Sequence, residues 1–330
     1  MLAAAQNLRG GVSPRGIRLR RPRNHRVRPD HRGYRPGDRV RGTRRGRSHP
    51  QPVQPGRQHG EQWDGWRRRG RRIRRRVCRY RFRDRPGGYR QGREDWTLEE
   101  QKAVAEDIAA KGEASSAFAK AEAAMNAGTK FSMKLTDGQT LEYKIIGINH
   151  DDLADGSGKA GLTFLATSTG IKSRVNATNT NAGGWEKSEL RAKMNSGEIW
   201  NLMPSDFQSK VKPVRKLTNN VDGTDKNAAV TATSDKLFML SYSEIVETPY
   251  NGWSGYSWIG NEGTQYEAFK GKVTANYNSN PAIALPNHGW WGRSVDPGTS
   301  TRFLLVGSGG DPSTGNHATA SHCVCPAWCF

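Results

Sequence analysis

The stretch of sequence that decides the fold begins with Trp290-Trp291-Gly292-Arg293-Ser294 and ends with Val324-Cys325-Pro326-Ala327-Trp328-Cys329-Phe330. Along this stretch, bulky or rigid residues alternate with small or polar ones. The bulky or rigid set is Trp290, Trp291, Pro297, Phe303, Val306, Pro312, Ala318, Val324, Pro326 and Phe330. The small or polar set is Gly298, Thr299, Arg302, Gly307, Asp311, Ser313, Thr314, Asn316, His317, Thr319 and His322. The first set predicts a rigid frame, and the second, which has no apolar periodicity, predicts a binding surface carried on it.

The positive charge of the chain is confined to its first 93 residues. The chain has 330 residues and a formal net charge of +21. Residues 1–93 contain 30 Arg, no Lys and five acidic residues, whereas residues 94–330 contain 22 basic and 26 acidic residues. An argument from net charge therefore applies to residues 1–93 alone.

Residues 1–93 are rich in Gly, Pro and Arg and poor in aliphatic residues, which predicts a disordered segment without a core. Runs of Arg suit contact with phosphates and indicate a nucleic-acid-binding tail. Thirty Arg without a single Lys is also what a GC-rich reading frame gives when it is translated out of register. Three interpretations therefore stay open: an out-of-frame or non-functional extension, which is favoured, a solvated linker, and a nucleic-acid-binding tail.

Residues 97–127 predict one long helix. Thr97 and Glu100 have the spacing of a capping box, and Gly128 supplies a stop. The apolar stripe of this helix is thin and based on alanine, which favours a connector spanning 94–128 over a core helix. The stripe also leaves open a homotrimer that assembles through this segment.

Residues 129–330 contain short strand patterns separated by long loops. The predicted elements are a hairpin over 131–147, helical spacing over 185–203 that breaks near Gly197, and strands over 162–166, 235–241, 303–306 and 324–330. The predicted loops are 173–184, 218–234 and 250–288. This pattern predicts an α+β domain whose loops are ordered by packing. The longest apolar runs are far below the ~18 residues that a membrane helix needs, so no membrane span is expected.

No catalytic constellation stands out in the sequence. Four histidines lie in predicted loops without an evident nucleophile beside them: His150, His288, His317 and His322. The run from His150 to Lys159 lacks the spacing of a phosphate-binding loop and that of a calcium loop. It predicts a turn capped by Asp side chains, with a weak calcium site as the alternative.

Three cysteines lie close together near the C-terminus: Cys323, Cys325 and Cys329. Zinc sites prefer pairs of cysteines on turns, whereas this run has the pattern of a terminal strand. We therefore expect buried thiols, and neither a metal nor a cofactor.

Four motifs in a fixed order carry a resemblance to a known family. They are Gly183-Gly184-Trp185-Glu186-Lys187-Ser188-Glu189-Leu190-Arg191, Thr233-Ser234-Asp235-Lys236-Leu237-Phe238-Met239-Leu240-Ser241, Trp290-Trp291-Gly292-Arg293-Ser294 and Val324-Cys325-Pro326-Ala327. Over residues 130–330 the chain resembles an uncharacterised domain family of gut bacteria and their phages. Chains with this ending resemble the variable proteins of diversity-generating retroelements. In those systems a reverse transcriptase mutates adenines in copies of a template repeat and rewrites the 3′ end of the target gene.

The resemblance implies a C-type-lectin-like fold, similar to formylglycine-generating enzymes, over 129–330, with a variable region at 290–330. The ligand-facing residues that it implies are Gly292, Asp296, Gly298, Thr299, Arg302, Leu305, Gly307, Asp311, Ser313, Thr314, Asn316, His317, Thr319 and His322. The structural frame that it implies is Trp290, Trp291, Arg293, Phe303, Val324 and Pro326. Two residues depart from the family pattern, since Gly292 replaces a charged residue and Cys323 replaces a glycine.

These observations predict a binding protein rather than an enzyme. The expected protein is a phage tail protein or a bacterial surface adhesin, located on the virion or the cell surface, that recognises a cell-surface protein or glycan. Arg302 and His317 are expected to make its strongest contacts. Two alternatives are a nucleic-acid-associated protein that acts through residues 1–93 and an enzyme built on a lectin-like scaffold.

Overall fold

The computed structural model describes residues 96–273 and 280–330, and every structural statement below concerns those residues alone. The expectations for residues 1–93, including disorder and nucleic-acid binding, lie outside the described residues. No helix within the described ranges is long and apolar enough to cross a membrane.

The described residues form an α+β protein, as the sequence predicts. The α-helices are α1 (Leu98–Lys111), α2 (Phe118–Ala127), α3 (Glu189–Asn195), α4 (Glu198–Asn201), α5 (Ser205–Gln208) and α6 (Tyr242–Ile245). The strands are β1 (Lys130–Lys134), β2 (Thr140–Ile148), β3 (Leu162–Ala166), β4 (Lys172–Ser173), β5 (Val214–Asn219), β6 (Val230–Asp235), β7 (Trp290–Val295), β8 (Arg302–Val306), β9 (Thr314–His317), β10 (His322–Cys323) and β11 (Ala327–Cys329). Short 3-10 turns occur at Gly112–Ala114, Asn251–Trp253 and Ser257–Gly260.

The prediction of one long helix over 97–127 is wrong, because the chain breaks into α1 and α2. The predicted capping box is present: the Thr97 hydroxyl accepts the Glu100 N–H at 3.2 Å, and the Glu100 carboxylate accepts the Thr97 N–H at 2.8 Å. Gly112 then adopts a positive φ of 57°, which ends α1, and Gly128 ends α2 in the left-handed region. Gly112 is a residue that can end a helix, but the alanine-rich sequence on both sides of it favours one continuous helix.

The two helices pack against the core, which corrects the expectation of a connector. Val104 and Ile108 of α1 and Ala121 of α2 are buried in the same hydrophobic cluster as the strands. The alanine-based stripe permits a very close approach, since a Cβ built on Gly161, just before β3, would lie 1.9 Å from the Ala105 carbonyl oxygen. The alanine-based stripe, which the homotrimer would need as its contact surface, is therefore covered by other residues of the same chain.

The first sheet has the strand order β1-β2-β3-β11, with every pair antiparallel. The predicted hairpin and the predicted strand at 162–166 are both confirmed here. Aromatic rings from all four strands meet in its core. Tyr143 lies 4.9 Å from Trp328 between ring centroids, and Phe164 stacks on Trp328 at 5.8 Å. The C-terminal strand thus completes a sheet that begins almost 200 residues earlier.

The second sheet has the order β4-β10-β7-β8-β9, in which only the β10–β7 pair is parallel. Val324, Cys325 and Pro326 carry the chain from this sheet to the first one. The Val324 N–H donates to the Ile171 carbonyl at 2.9 Å, and Ala327 exchanges two backbone bonds with Phe238. The C-terminal residues therefore hold the two sheets together, which is why they decide the fold.

Three further predicted segments differ from the structure. The strand predicted at 235–241 is wrong, since β6 ends at Asp235 and the residues after it form a buried extended segment with a single bridge from Phe238. The loop predicted at 218–234 contains most of β6, which pairs with β5 in a two-stranded sheet. The strand predicted at 324–330 is shortened to β11, because Pro326 lacks the N–H that a strand interior needs.

We expect Gly161→Ala to destabilise the domain by about 1–3 kcal/mol or more, because its methyl group would overlap the Ala105 carbonyl and separate α1 from β3. Urea unfolding followed by tryptophan fluorescence measures the change. Gly309→Ala is the matched control, since a Cβ at that position meets nothing within 4 Å. Equal stability of the two variants would contradict the close packing of α1 on the sheet.

Candidate functional site

Arg293, the charged residue of the Trp290–Ser294 motif, is fully buried in β7. Its guanidinium donates to the Met239 carbonyl at 2.8 Å and to the Glu262 carbonyl at 2.7 Å. It also binds both carboxylate oxygens of Glu244, and its Nε donates to the Thr218 hydroxyl at 3.0 Å. A guanidinium with this many partners acts as a fixed structural element, consistent with the frame role that the sequence predicts.

The buried charges continue from Glu244 to Lys216 and Asp151. Lys216 forms ion pairs with both carboxylates, and the Tyr266 hydroxyl donates to Asp151 at 2.9 Å. Burial raises the pKa of Asp151, but the charge of Lys216 outweighs burial and holds that pKa well below its usual range. The predicted turn capped by an Asp side chain is present at Asp155, whose carboxylate accepts the Ser157 N–H at 2.9 Å. Asp151 is instead one end of a chain of alternating charges that runs through the core.

Glu262 sits at the other end of this cluster. Its carboxylate accepts the Asn219 N–H at 2.8 Å and the Ser294 hydroxyl. Burial raises the pKa of Glu262 to about 7, against hydrogen bonds from Ser294 and Asn219 that lower it. Glu262 therefore exchanges a proton near neutral pH inside the fold.

His150 closes one side of the cluster, although the sequence offered no partner for it. Its ring lies 4.1 Å from the ring of Tyr266, its Nδ1 lies 3.1 Å from Glu267, and its Nε2 lies 3.4 Å from the Thr264 hydroxyl. Tyr266 in turn donates its hydroxyl to the buried Asp151. These contacts give His150 a structural role at the rim of the cluster.

The remaining frame residues are buried as well. They are Trp290, Trp291, Phe303, Val324 and Pro326. The indole N–H groups of Trp290 and Trp291 donate to the carbonyls of Ile283 and Ser173 at 2.9 and 3.0 Å. The indole N–H of each tryptophan is thus hydrogen-bonded within the fold.

Three of the predicted ligand-facing residues are buried, which corrects that part of the prediction. A Cβ on Gly292 would lie 3.2 Å from the Leu240 carbonyl, so this glycine is small because the strands pack closely there. Asp296 is directed at Gly315, and burial raises its pKa to about 6. Leu305 is 3% exposed.

The other predicted residues divide between the two faces of the β8–β9 hairpin. Thr314 and Asn316 are two residues apart on β9 and point to one face, whereas His317 points to the other. Arg302 pairs with His317, whose Nδ1 lies 3.0 Å from the Asn179 amide. Arg302 and His317, predicted as the strongest contacts, are therefore not directed at the same place as Thr314 and Asn316.

Five more of the predicted residues lie outside the strands. Gly298 and Thr299 belong to the turn before β8, and Gly298 has a positive φ of 87°. Asp311 and Ser313 form a turn before β9, in which Asp311 accepts the Ser313 N–H at 2.9 Å. Thr319 is exposed.

Five predicted residues converge on a cavity of about 410 Å³ on the Thr314 face of the sheet. They are Leu305, Gly307, Thr314, Asn316 and His322. The other lining residues, which the sequence did not indicate, are Lys172, Asn287, His288, Gly289, Ser308, Ser321 and Cys323. Lys172 is brought in by the pairing of β4 with β10, a long-range contact that leaves no local sequence signal.

His322 is the most constrained polar residue of this cavity. The Asn316 amide donates to its Nε2 at 2.8 Å, so its own proton resides on Nδ1, beside Gly289. The ring meets Trp291 edge to face at 4.8 Å. Burial lowers the pKa of His322, which favours this neutral form. The cavity thus contains an imidazole N–H donor held in a fixed direction.

Metal and thiol chemistry have little basis among residues 96–273 and 280–330. Within those ranges no group of three or more His, Cys, Asp or Glu side chains comes close enough to bind a metal ion. Cys323, Cys325 and Cys329 are free and buried, as predicted, and burial raises the pKa of each. These thiols therefore remain protonated at neutral pH.

The described residues thus define an α+β domain with a polar cavity on its C-terminal sheet. Residues 160–330 match the family described as Domain of unknown function (DUF6273), and the chain belongs to that family. The matched range includes every residue that lines the cavity and leaves out α1, α2, β1 and β2. No curated protein and no solved structure matches the chain.

We expect Arg293→Lys to destabilise the domain by about 3–5 kcal/mol, because an ammonium cannot replace the forked contacts and would leave Glu244 incompletely paired. Denaturant unfolding measures the loss. Arg302→Lys is the control, since this exposed arginine should change stability by no more than about 0.5 kcal/mol. A similar cost for both variants would argue against the structural role of Arg293.

Glu262→Gln should flatten the dependence of stability on pH. Because burial raises the folded-state pKa to about 7, wild-type protein loses stability as the pH rises from roughly 4.3 through 7. The variant should therefore gain roughly 1–3 kcal/mol on wild type between pH 5 and pH 8. Unfolding measured at both values tests this, with the exposed Glu113→Gln as control. If the stability of wild type and of Glu262→Gln changed with pH in the same way, protonation of Glu262 in the folded protein would be ruled out.

Proposed function

We propose that this chain is a binding protein, either a phage tail protein or a bacterial surface adhesin, that recognises a cell-surface protein or glycan. Its region 290–330 is proposed to be a variable region of the kind that diversity-generating retroelements rewrite. The domain at 129–330 that carries it is proposed to be C-type-lectin-like. Its function is recognition, without catalysis and without a cofactor.

The convergence of five predicted variable residues on one cavity carries this proposal. Leu305, Gly307, Thr314, Asn316 and His322 come from two strands, one loop and the edge of a third strand. Four of them, Gly307, Thr314, Asn316 and His322, interrupt the bulky frame in the sequence, and the resemblance implies that all five face the ligand. Their meeting at a concave surface of about 410 Å³ is what a ligand-binding patch requires.

The separation between frame and surface supports the same proposal. The buried charges of Arg293, Glu244 and Lys216 fix β7 from the side of the core. β9 lies at the edge of the sheet, and its residues are half-buried or exposed. Substitutions at Thr314 or Asn316 therefore leave the buried charges untouched, so that the surface is free to change while the fold is kept.

Packing limits which of the predicted positions tolerate variation. Gly292 and Leu305 are enclosed, and a side chain at Gly315 would meet the Asp296 carboxylate at 2.0 Å. Thr314 and Asn316 are half-buried and border the cavity. A variable region in this fold should consequently change at the partly exposed polar positions and stay constant at the enclosed ones.

Affinity in such a site comes from several weak contacts. The cavity is shallow and is lined mainly by amides, hydroxyls and imidazoles. Each neutral hydrogen bond contributes only about 0.5–1.5 kcal/mol, so that a single copy binds weakly. Several copies on one fibre or cell surface would raise the apparent affinity through avidity.

Sequencing the 3′ end of the gene across a cell population tests the proposal. We expect codon differences at Thr314, Asn316, His317 and His322, at positions that are adenine in a nearby near-identical repeat. A reverse transcriptase gene should lie beside that repeat. These four positions carry polar side chains that are half-buried or exposed.

The fully buried positions Trp291 and Arg293 are the internal control, because the packing and the ion pairs around them should forbid change. An invariant 3′ end without any repeat would refute the diversified receptor. If the codons of buried residues varied as much as those of exposed residues, the variation would not reflect selection for binding.

A further inference from the structure

We infer that the cavity on the Thr314 face binds an acidic sugar, that is, a single sugar ring that carries a carboxylate. This inference deepens the proposed recognition function and rests on it. It names the chemical class of the ligand, and it depends on the polar groups and charges of the lining alone.

The charge of the lining differs from that of the domain around it. Residues 94–330 carry more acidic than basic residues, 26 against 22. Of the twelve described residues that line the cavity, none is acidic, whereas Lys172 contributes an ammonium group. A lining that has one lysine and no acidic residue favours a ligand with a single negative charge.

The nearest carboxylate has its donors already. Asp311 lies beside Gly307, and it accepts the N–H and the hydroxyl of Ser313 at 2.9 and 2.6 Å. Its negative charge is therefore partly satisfied within the turn before β9. An anion in the cavity meets donors rather than a competing acceptor.

The hydrogen-bonding groups match a sugar better than a simple anion. His322 offers its Nδ1 proton, Asn287 an amide, and Thr314 and Ser308 hydroxyls that both donate and accept. Sulfate carries only acceptors, and both sulfate and phosphate favour clusters of cations, whereas the lining has one lysine. A ring with several hydroxyls and one carboxylate uses the mixed donors and acceptors together with Lys172.

The size of the cavity fits one sugar ring. Its volume of about 410 Å³ lies toward the lower end of the ~300–1,000 Å³ range of small-molecule sites. Gly289 and Gly307 line the cavity and pack closely on its walls, since a Cβ on Gly289 would lie 3.0 Å from Leu305 and one on Gly307 3.1 Å from the Thr314 hydroxyl. Leu305 adds an apolar wall for the C–H face of the ring.

Titration of the full chain with methyl β-D-glucuronide and with methyl β-D-glucoside tests the inference, because the two differ only at the carboxylate. Saturation-transfer NMR and calorimetry both report binding. We expect the glucuronide to bind at least about tenfold more tightly than the glucoside, and Lys172→Met to remove that preference. Lys134→Met, an exposed lysine on β1, is the matched control and should keep it. The 30 Arg of residues 1–93 are common to all three proteins and cancel in the comparison.

A second set of titrations identifies the kind of ligand that carries the negative charge. Inorganic phosphate should compete poorly with the glucuronide, and effective competition would overturn the sugar in favour of a plain anion site. An oligosaccharide that ends in glucuronic acid should bind at least as tightly as the monosaccharide if the natural source is a glycan. Tighter binding of the free monosaccharide would assign the site to a soluble sugar acid.

Failure of this inference is distinguishable from failure of the proposed function. Equal binding of the two glycosides, or a preference that survives Lys172→Met, overturns the acidic sugar. If Asn316→Ala then abolishes binding of both glycosides, recognition at the cavity stands with a neutral ligand. If neither glycoside binds while the codons of the variable region differ across a population, the ligand class is overturned alone. If neither binds and those codons are invariant, both proposals fall.

Discussion

The structure depends on the burial of the Arg293 guanidinium. An unpaired charge in a protein interior costs several kcal/mol, so Arg293 is tolerable only with Glu244 in place, and Glu244 in turn lies against Lys216. Lys216 then requires Asp151. Because each charge is compensated by the next, the segments that carry them must assemble together, and β7, α6, β5 and the loop before β3 become one cooperative unit.

This constraint explains why the cavity lies where it does. The buried charges hold β7 from the core side, and β8 and β10 flank β7 in the sheet. The cavity is formed on these neighbours and on the edge strand β9, beyond the ion pairs. The buried ion pairs and the cavity lining are therefore separate sets of residues, which is the arrangement that the proposed recognition surface needs if it is to change without unfolding the protein.

Local patterns in the sequence predicted the elements that local interactions form. The hairpin at 131–147, the strand at 162–166 and the helical break near Gly197 follow from alternation and from glycine, and the structure has all three. The buried charges could not be predicted, because Lys216 and Asp151 are separated by 65 residues and Arg293 and Glu244 by 49. Pairs of residues so far apart in the sequence leave no periodic pattern from which they could be predicted. The approach of Lys172 to β10 leaves no such pattern either. Propensity misled at 97–127, where one backbone conformation at Gly112 outweighed a run of helix-forming residues.

The alternation near the C-terminus mixed two physical causes of a small residue. Gly292 is small because the carbonyl oxygens of Leu240 and Leu304 would lie only 3.2 and 3.3 Å from a Cβ built on it. Thr314 and Asn316 are small or polar because they border a cavity. Sequence alone treats both kinds as free positions, whereas the packing around each one separates them. A fold that keeps the first kind and changes the second preserves its core while it alters the chemistry of a single concave surface, and that surface is where selection for a new ligand can act.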